Sequence, residues 1–277
     1  MNDTSHDKLV FEEPHMTTGK SVEELSEALF HSYQELEQLN KKLVAQEVER
    51  SEFYANISHD LRSPMATISG SIEYLLSLDH IDEKELRSTL SIIQTRSKFM
   101  EQMINDIFTL SSLNFSSKNI NLEPVEMGFF LEDFFYDCAE DIKYRGRVLR
   151  MRVPMELECI CNIDPKLIRR VLDNLFTNAL KYSNSGDNIV LSADLEDSQL
   201  HISVEDTGIG IASENLEKIF DRSFRVDNAR TPGFTASAGF GLAIAKSIMD
   251  RHQGKIWCES VLHEGSVFHL TLPIADQ

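Results

Sequence analysis

Ser58-His59-Asp60-Leu61-Arg62-Ser63-Pro64-Met65 sets a histidine beside a carboxylate, with a proline five residues after the histidine. Around it, Ile57, Leu61, Ile68 and Leu75 recur at helical spacing and require a buried stripe on a long amphipathic helix. His59 lies two residues, about 200°, from Ile57, so it points away from that stripe. Ser63, four residues on, returns to the histidine's face. Pro64 lacks an N–H and crowds the carbonyl of Asp60, which predicts a helix loosened or bent beside the histidine. An exposed imidazole with a carboxylate neighbour at such a point suits a nucleophile or a proton-transfer group. A surface histidine on a helix usually does nothing chemical, and this chain has 9. The rest of the sequence has to decide.

Working outward, the segment from Val22 to Phe53 is charged and free of Gly and Pro. Val22, Leu25, Leu29, Leu36, Leu39 and Leu43 follow a heptad-like stripe interrupted by Ser32, which favours pairing with a second copy over packing on its own domain. The helix should continue to about Leu78. Asp79-His80-Ile81-Asp82 reads as a turn and N-cap before a second amphipathic helix, Glu83 to Leu113, striped by Leu86, Leu90, Ile93, Met100, Ile104, Ile107 and Leu110. Two antiparallel helices cannot bury both apolar faces alone. Two copies forming a four-helix bundle can.

A polar break at Asn114–Asn121 reads as a linker. Beyond it, strand-like stretches (Cys159–Ile163, Ile189–Ala193, His201–Glu205, Lys255–Ser260, Ser266–Leu272) fall among helical ones at Gly128–Tyr144, Pro165–Tyr182 and Gly239–His252. That order implies a separate α+β domain.

Composition narrows the classes. With 277 residues, 42% hydrophobic and 26% charged, the chain is globular and long enough for two domains. A net charge of −18 argues against nucleic acid or anionic lipid as a partner. The spacing of Cys138, Cys159, Cys161 and Cys258 fits no zinc motif and no disulfide framework, so reduced thiols are expected. No apolar run reaches transmembrane length, and residues 1–15 are too polar for a signal peptide.

Three segments point to a nucleotide. Asn174, Asn178 and Lys181 lie on one face of the Pro165 helix, opposite Leu172, Leu175, Phe176, Ala179 and Leu180. Asparagine is a mediocre helix former, so two at i and i+4 backed by a lysine suggest an amide oxygen for a hard cation and a positive charge for phosphate. A plain solvated face is the alternative. Glu205-Asp206-Thr207-Gly208-Ile209-Gly210-Ile211 follows a strand; its glycines let backbone approach a flat ligand, and Asp206 offers an acceptor for an exocyclic amine. Finally, Ile219-Phe220-Asp221-Arg222-Ser223-Phe224-Arg225 leads through a polar stretch to Gly239-Phe240-Gly241-Leu242-Ala243-Ile244-Ala245-Lys246. A flexible loop ending in glycines at a helix N-terminus is a phosphate-binding device and a candidate lid.

With these segments in this order, the chain resembles the cytoplasmic portion of a two-component sensor histidine kinase. Phe53 to Pro64 is similar to the family's H-box, Asp173 to Tyr182 to the N-box and Asp206 to Gly210 to the first glycine box. Ile219 to Asp227 is similar to the F-box and Gly239 to Lys246 to the second glycine box. The resemblance implies an all-α antiparallel hairpin, dimerising as a four-helix bundle, followed by an α+β two-layer sandwich ATPase domain of the histidine kinase, gyrase and chaperone type. It implies autophosphorylation with ATP and Mg²⁺ as cofactors, and a homodimer and a response regulator receiver domain as partners. His59 is then the phosphoacceptor, Asp60 its orienting group or base, and Ser63 stands where the family usually has Thr or Asn for phosphatase chemistry. Asn178 is the metal ligand with Asn174 assisting, Lys181 and Arg225 hold phosphate, and Tyr182 flanks the adenine that Asp206 recognises. Gly208 and Gly210 admit the base, and Gly239 and Gly241 let the lid close.

The implied division is 1–20 polar connector, 21–46 signalling coil, 47–115 dimerisation and phosphotransfer, 116–124 linker and 125–277 ATP-binding domain. Residues 8–46 also resemble the second half of a HAMP signalling domain. That suggests part of a longer membrane sensor, against a complete soluble kinase with its own short coil; no segment of this chain is expected to insert into a membrane. Departures are Ser237 and Ala238 for Gly-Thr, Phe224 for a common Tyr, and His263 for Gly before Glu264-Gly265-Ser266. The rival readings are an ATPase of the gyrase or chaperone class, which needs no such histidine, and a degenerate scaffold or phosphatase, which would have lost Asn178, Asp206 or the glycines.

Overall fold

The computed structural model describes residues 22–115, 120–154, 157–196, 198–221, 224 and 239–275. The chain divides into two compact units, Met1–Ala55 and Asn56–Gln277.

Helix α1 spans Val22–Leu76. In the first unit its leucine stripe is bare: Leu25, Leu29, Leu36, Leu39 and Leu43 are each more than half exposed. Opposite charges one turn apart lace its surface, Lys41 to Glu37 at 2.8 Å and Arg50 to Glu47 at 3.4 Å. Such pairs contribute only a few tenths of a kcal/mol each. Helix formation here therefore leans on propensity and on whatever covers the stripe.

In the second unit the remainder of α1 forms a hairpin with α2, Glu83–Phe115. Ile57, Met103, Leu110 and Leu113 are buried. Tyr74 donates to the Glu85 carboxylate across the turn. Leu90 and Ile104 of the expected stripes remain exposed, as do Met65, Ile72, Leu76 and Phe108 beside them, so apolar surface on both helices has no cover within one chain. Pro64 is buried within α1 and the helix continues through it.

The remaining elements are β1 (Glu123–Glu126), α3 (Met127–Glu140), β2 (Val148–Arg152), β3 (Ile160–Ile163), α4 (Pro165–Tyr182), β4 (Asn188–Glu196), β5 (Gln199–Asp206), α5 (Gly241–Arg251), β6 (Lys255–Val261) and β7 (Gly265–Pro273). Five strands form one sheet in the order β2-β4-β5-β7-β6, with β2 parallel to β4 and the other pairs antiparallel. β1 and β3 form a separate antiparallel pair. One sheet face carries Ile189, Leu191, Leu200, Ile202, Val204, Phe268, Leu270 and Leu272, all buried. They form one core with Leu172, Leu175 and Phe176 of α4 and Ile244 and Ile248 of α5. Strict alternation along β5 and β7 is what a sheet covered on one face requires.

Local signals explain most boundaries. Asp164 caps α4 by accepting from Leu167 N at 3.2 Å, and Pro165 takes the first turn, where its missing N–H costs nothing. The C-terminus of α5 is tied to the same cap: His252 Nδ1 donates to Ile248 O at 2.8 Å, and its Nε2 accepts from Asp164 N at 2.9 Å. Burial lowers the pKa of this histidine, which keeps it in the neutral form that those two bonds need.

The sequence placed a helix over Gly128–Tyr144; the structure ends α3 at Glu140 and adds a 3₁₀ turn, Ile142–Tyr144. The break is Asp141, which turns extended so that its carboxylate can accept from Lys143 N. The helix expected from Gly239 starts at Gly241, because Gly239 sits at φ +75° and cannot belong to a right-handed helix.

Candidate functional site

Helix α4 turns one face to the core and presents Asn174, Asn178 and Lys181 at the other. Asn174 is half-buried and its amide Nδ2 donates to Gly241 O at 3.0 Å, fastening α4 to the start of α5. Asn178, one turn on, is half-buried as well. Lys181 Nζ donates to the Tyr182 hydroxyl at 3.0 Å and lies 4.7 Å from the centre of that ring. The pair holds a cation and an aromatic plane side by side at the end of α4.

The loop after β5 is built by close backbone approaches. Ile209 N donates to Tyr182 O at 3.0 Å, His263 N to Ile209 O at 2.7 Å, and Ile211 N to Ser260 Oγ at 2.8 Å. A Cβ at Gly208 would stand 2.2 Å from Tyr182 O, and one at Gly210 (φ +66°) 2.0 Å from Val261 O. Gly265 (φ +131°) belongs to the same cluster, since its Cβ would meet Asp206 O at 2.1 Å. The sequence flagged that turn only for His263, which accepts φ +71° itself. The glycine that matters structurally is the third of the turn.

Asp206 ends β5 with 5% of its surface exposed. Burial pushes its carboxyl pKa up to about 6; the Gly208 N–H, donating to Oδ1 at 2.9 Å, pulls the other way, and Asp187 and Glu205 add to the rise. With a folded pKa above the ordinary aspartate value of 3.8, the folded state holds this proton more tightly than the unfolded chain. The group therefore favours folding below about pH 4 and loses that contribution as pH rises through about 6. A buried acid that weakens its own fold at neutral pH is better explained by ligand recognition than by stability.

His59 stands on α1 with its side chain 80% exposed and its Nδ1 3.4 Å from Asp60 Oδ1. Asp60 is less open, at 24%. Ser63 is exposed on the same face, and its carbonyl accepts from Thr67 Oγ1 at 3.1 Å. The structure thus groups His59, Asp60 and Ser63 on the hairpin. It groups Asn174, Asn178, Lys181, Tyr182, Asp206, Gly208, Gly210, Gly239 and Gly241 around the ends of α4 and β5 and the start of α5. Arg225, Ser237 and Ala238 lie outside the described residues. Phe224 is described and half-buried.

Sequence reasoning did not find the groups that hold the hairpin on the sheet domain. Arg170 donates to Asp106 Oδ1 at 2.7 Å and to Thr109 Oγ1 at 2.6 Å, and Arg251 donates to the carbonyl of Leu113. A groove of about 480 Å³ runs between α2 and α4, with Asn174 on its wall. Desolvation raises the Asp106 pKa despite Arg170.

Residues 49–115 match the His Kinase A (phospho-acceptor) domain, and residues 163–276 match the histidine kinase-, DNA gyrase B-, and HSP90-like ATPase family, a nucleotide-binding fold. The chain is 35% identical over 231 residues to the sensor histidine kinase WalK of Bacillus subtilis, covering 83% of this chain and 37% of that protein. Against the sensor protein kinase WalK of Staphylococcus saprophyticus it is 34% identical over 249 residues, covering 89% and 39%. The chain therefore spans under half the length of these relatives. In fold it is similar to histidine kinase ThkA, solved in complex with the response regulator protein TrrA (TM-score 0.67, 23% identity, 88% of this chain and 66% of that one). It is likewise similar to histidine kinase AdeS of Acinetobacter baumannii (TM-score 0.59, 22% identity, 79% and 98%). Among the described residues no helix is long and apolar enough to cross a membrane. With a phospho-acceptor hairpin and an ATPase sheet joined in one chain, this protein belongs to the two-component sensor histidine kinases.

Proposed function

We propose that this chain uses ATP and Mg²⁺ to phosphorylate His59 and then passes the phosphoryl group to an aspartate on a response regulator receiver domain. The observation that carries this reading is the pairing of an open histidine, flanked by a carboxylate, with a buried carboxyl at a glycine-built loop in the same compact unit. Asp60 faces His59 Nδ1 and favours the tautomer with its proton there. That leaves Nε2 with a lone pair for in-line attack on the γ-phosphorus, as the bond from phosphorus to the β,γ-bridging oxygen breaks and ADP leaves. Asn178, with Asn174 beside it, suits Mg²⁺ through amide oxygen; Lys181 and Arg225 suit the phosphates. Tyr182 and Asp206 suit the adenine ring and its amine. The protein's share of the chemistry is positioning and charge neutralisation.

The functional division that fits this reading is a signalling helix at 21–46, a dimerising phosphotransfer hairpin at 47–115, a linker at 116–124 and an ATP-binding domain at 125–277. Exposed apolar side chains on both hairpin helices support a homodimer with a four-helix bundle. The parent protein is then a longer, membrane-anchored sensor with this part in the cytoplasm. Incubation with γ-labelled ATP and Mg²⁺ should give a label that is acid-labile and alkali-stable and that moves to a receiver domain on mixing. No label with nucleotide bound would leave an ATPase or a scaffold instead, and an acid-stable label would move the acceptor from an imidazole to a hydroxyl.

Two further results are expected. Asp206 has to accept from the adenine amine, so protonation competes with binding; adenine nucleotide affinity should fall by about tenfold between pH 7 and pH 5. A fluorescent nucleotide titration across that range tests it, and a flat profile would remove Asp206 from base recognition. Ser63→Ala should slow dephosphorylation of a phosphorylated receiver domain and leave the autophosphorylation rate within about twofold, as for an exposed residue without packing partners. Equal dephosphorylation by parent and variant would discharge Ser63 from that role.

A further inference from the structure

The sheet face away from α4 and α5 carries an unusual polar cluster at the β4–β5 hairpin. Asp194 and Glu196 are two apart on β4 and share a face, and register sets His201 of β5 directly opposite Asp194. Carboxylate oxygens of Asp194 and Glu196 and a ring nitrogen of His201 all lie within 4.8 Å of one another. His201 Nδ1 is 3.4 Å from Asp194 Oδ1, which is about the ligand–ligand edge of a tetrahedral Zn²⁺ site with bonds near 2.1 Å. Bringing all three to that spacing asks for small rotations of two exposed carboxylates.

The rest of the cluster fixes the His201 ring. His201 Nε2 is 3.0 Å from His269 Nδ1 on β7, and His269 Nε2 is buried without a hydrogen-bond partner, 4.0 Å from Glu259 Oε1 on β6. Trp257 stacks on His269 at 4.9 Å between ring centres and holds that ring in place. One of the two facing ring nitrogens carries the shared proton. With that proton on His201 Nε2 and donated to His269 Nδ1, His201 Nδ1 presents its lone pair toward Asp194 and Glu196, the form in which an imidazole ligates a divalent cation. A ring N–H passed from the ligating imidazole to a second acceptor is also the usual support for a metal-bound histidine.

We propose that Asp194, Glu196 and His201 bind a late first-row divalent cation, Zn²⁺ the best fit, with His269 orienting His201. One imidazole with two carboxylates suits such ions better than Mg²⁺ or Ca²⁺, which take oxygen ligands. His201 and Asp206 are five residues apart on β5, about 17 Å at the rise of a strand, so this ion is separate from any that accompanies a nucleotide. Its effect is to pin the free end of the β4–β5 hairpin.

The test is calorimetric titration of the full chain with Zn²⁺ alone, in the absence of nucleotide, for the parent, Asp194→Ala, His201→Phe and His269→Phe. One site should be lost in Asp194→Ala and in His201→Phe, and weakened about tenfold in His269→Phe, which removes only the supporting hydrogen bond. Zn²⁺ should raise the apparent Tm of the parent and not that of Asp194→Ala. No uptake by the parent, or equal uptake and stabilisation in Asp194→Ala through the chain's other histidines, overturns the assignment. Should His201→Phe fail to fold, Asp194→Ala carries the result alone, since that side chain is 55% exposed. The readout is independent of kinase activity.

Discussion

His59→Ala loses all ATP-dependent label while its nucleotide affinity stays within about twofold of the parent, as expected for two sites with no shared partner. The loss is total because no other group replaces the acceptor in a reaction whose product is a phosphoramidate on that ring. The fold should not notice. The His59 side chain is 80% exposed, it approaches Asp60 at 3.4 Å, and alanine is the best helix former available. Packing at this level of α1 rests on Ile57 and Pro64, both buried, and neither is touched. Counting label beside a fluorescent nucleotide titration reads both quantities in one preparation. Undiminished label in the variant would move the acceptor to another of the histidines; lost label together with lost nucleotide would mean the variant is damaged rather than acceptor-free.

Gly210→Ala is expected to abolish nucleotide binding and to lower the stability of the ATPase domain by at least about 3 kcal/mol. Two costs coincide there. The backbone sits at φ +66°, where a Cβ costs about 1–2 kcal/mol, and that Cβ would lie 2.0 Å from the carbonyl oxygen of Val261. Backbone cannot swing aside as a side chain can, so the loop has to part from the β6–β7 turn. Three companions separate the causes. Gly208→Ala has a comparable contact, 2.2 Å from Tyr182 O, and should also lose nucleotide. Gly186→Ala has φ +94° with nothing within 4 Å, so it should show strain alone and keep nucleotide. Gly70→Ala, in mid-helix with nothing within 4 Å, should be neutral or stabilising by about 0.5–1 kcal/mol. Thermal melts and nucleotide titrations of the four rank them. If Gly210→Ala binds nucleotide like the parent, the glycines of this loop are not there for close approach.

What could be read from the sequence follows from how local each signal is. The bounds of α4 matched residue for residue because Asp164 and Pro165 announce the start, and the polar face ends at Tyr182. β5 and β7 were legible through alternation, though each is longer than its apolar run because their ends pair through polar residues such as Gln199 and Ser266. β1 and β2 were missed for opposite reasons. β1 contains Pro124, which argues against a strand unless it lies at an edge, and β2 is an edge strand whose Arg150 and Arg152 dilute the pattern. The cap of α3 was hidden because it is Glu126, whose carboxylate reaches Gly128 N and Phe129 N where a shorter side chain is usual. Candidate site residues were legible as motifs. Their long-range partners were not: Arg170 finds Asp106 across 64 positions, and Gly265 finds Asp206 only through the pairing of β5 with β7, distances at which one sequence has no periodicity to offer. The expectations for Arg225, Ser237 and Ala238 fall outside the described residues.

Arg170, Asn174 and Asn178 follow one another at four-residue steps along α4, so they make a single stripe. The first grips the phosphotransfer hairpin through Asp106 and Thr109, the second is fastened to Gly241, and the third is the residue best suited to a metal-bound triphosphate. One stiff helix thus serves as the handle for the hairpin and, in the proposed function, as a wall of the nucleotide site. Free energies on such an element are reciprocal. By whatever factor release of Arg170 changes nucleotide affinity, bound nucleotide changes the release of Arg170 by the same factor. The hairpin and the nucleotide need never touch each other to exchange information; they only need to pull on the same rod.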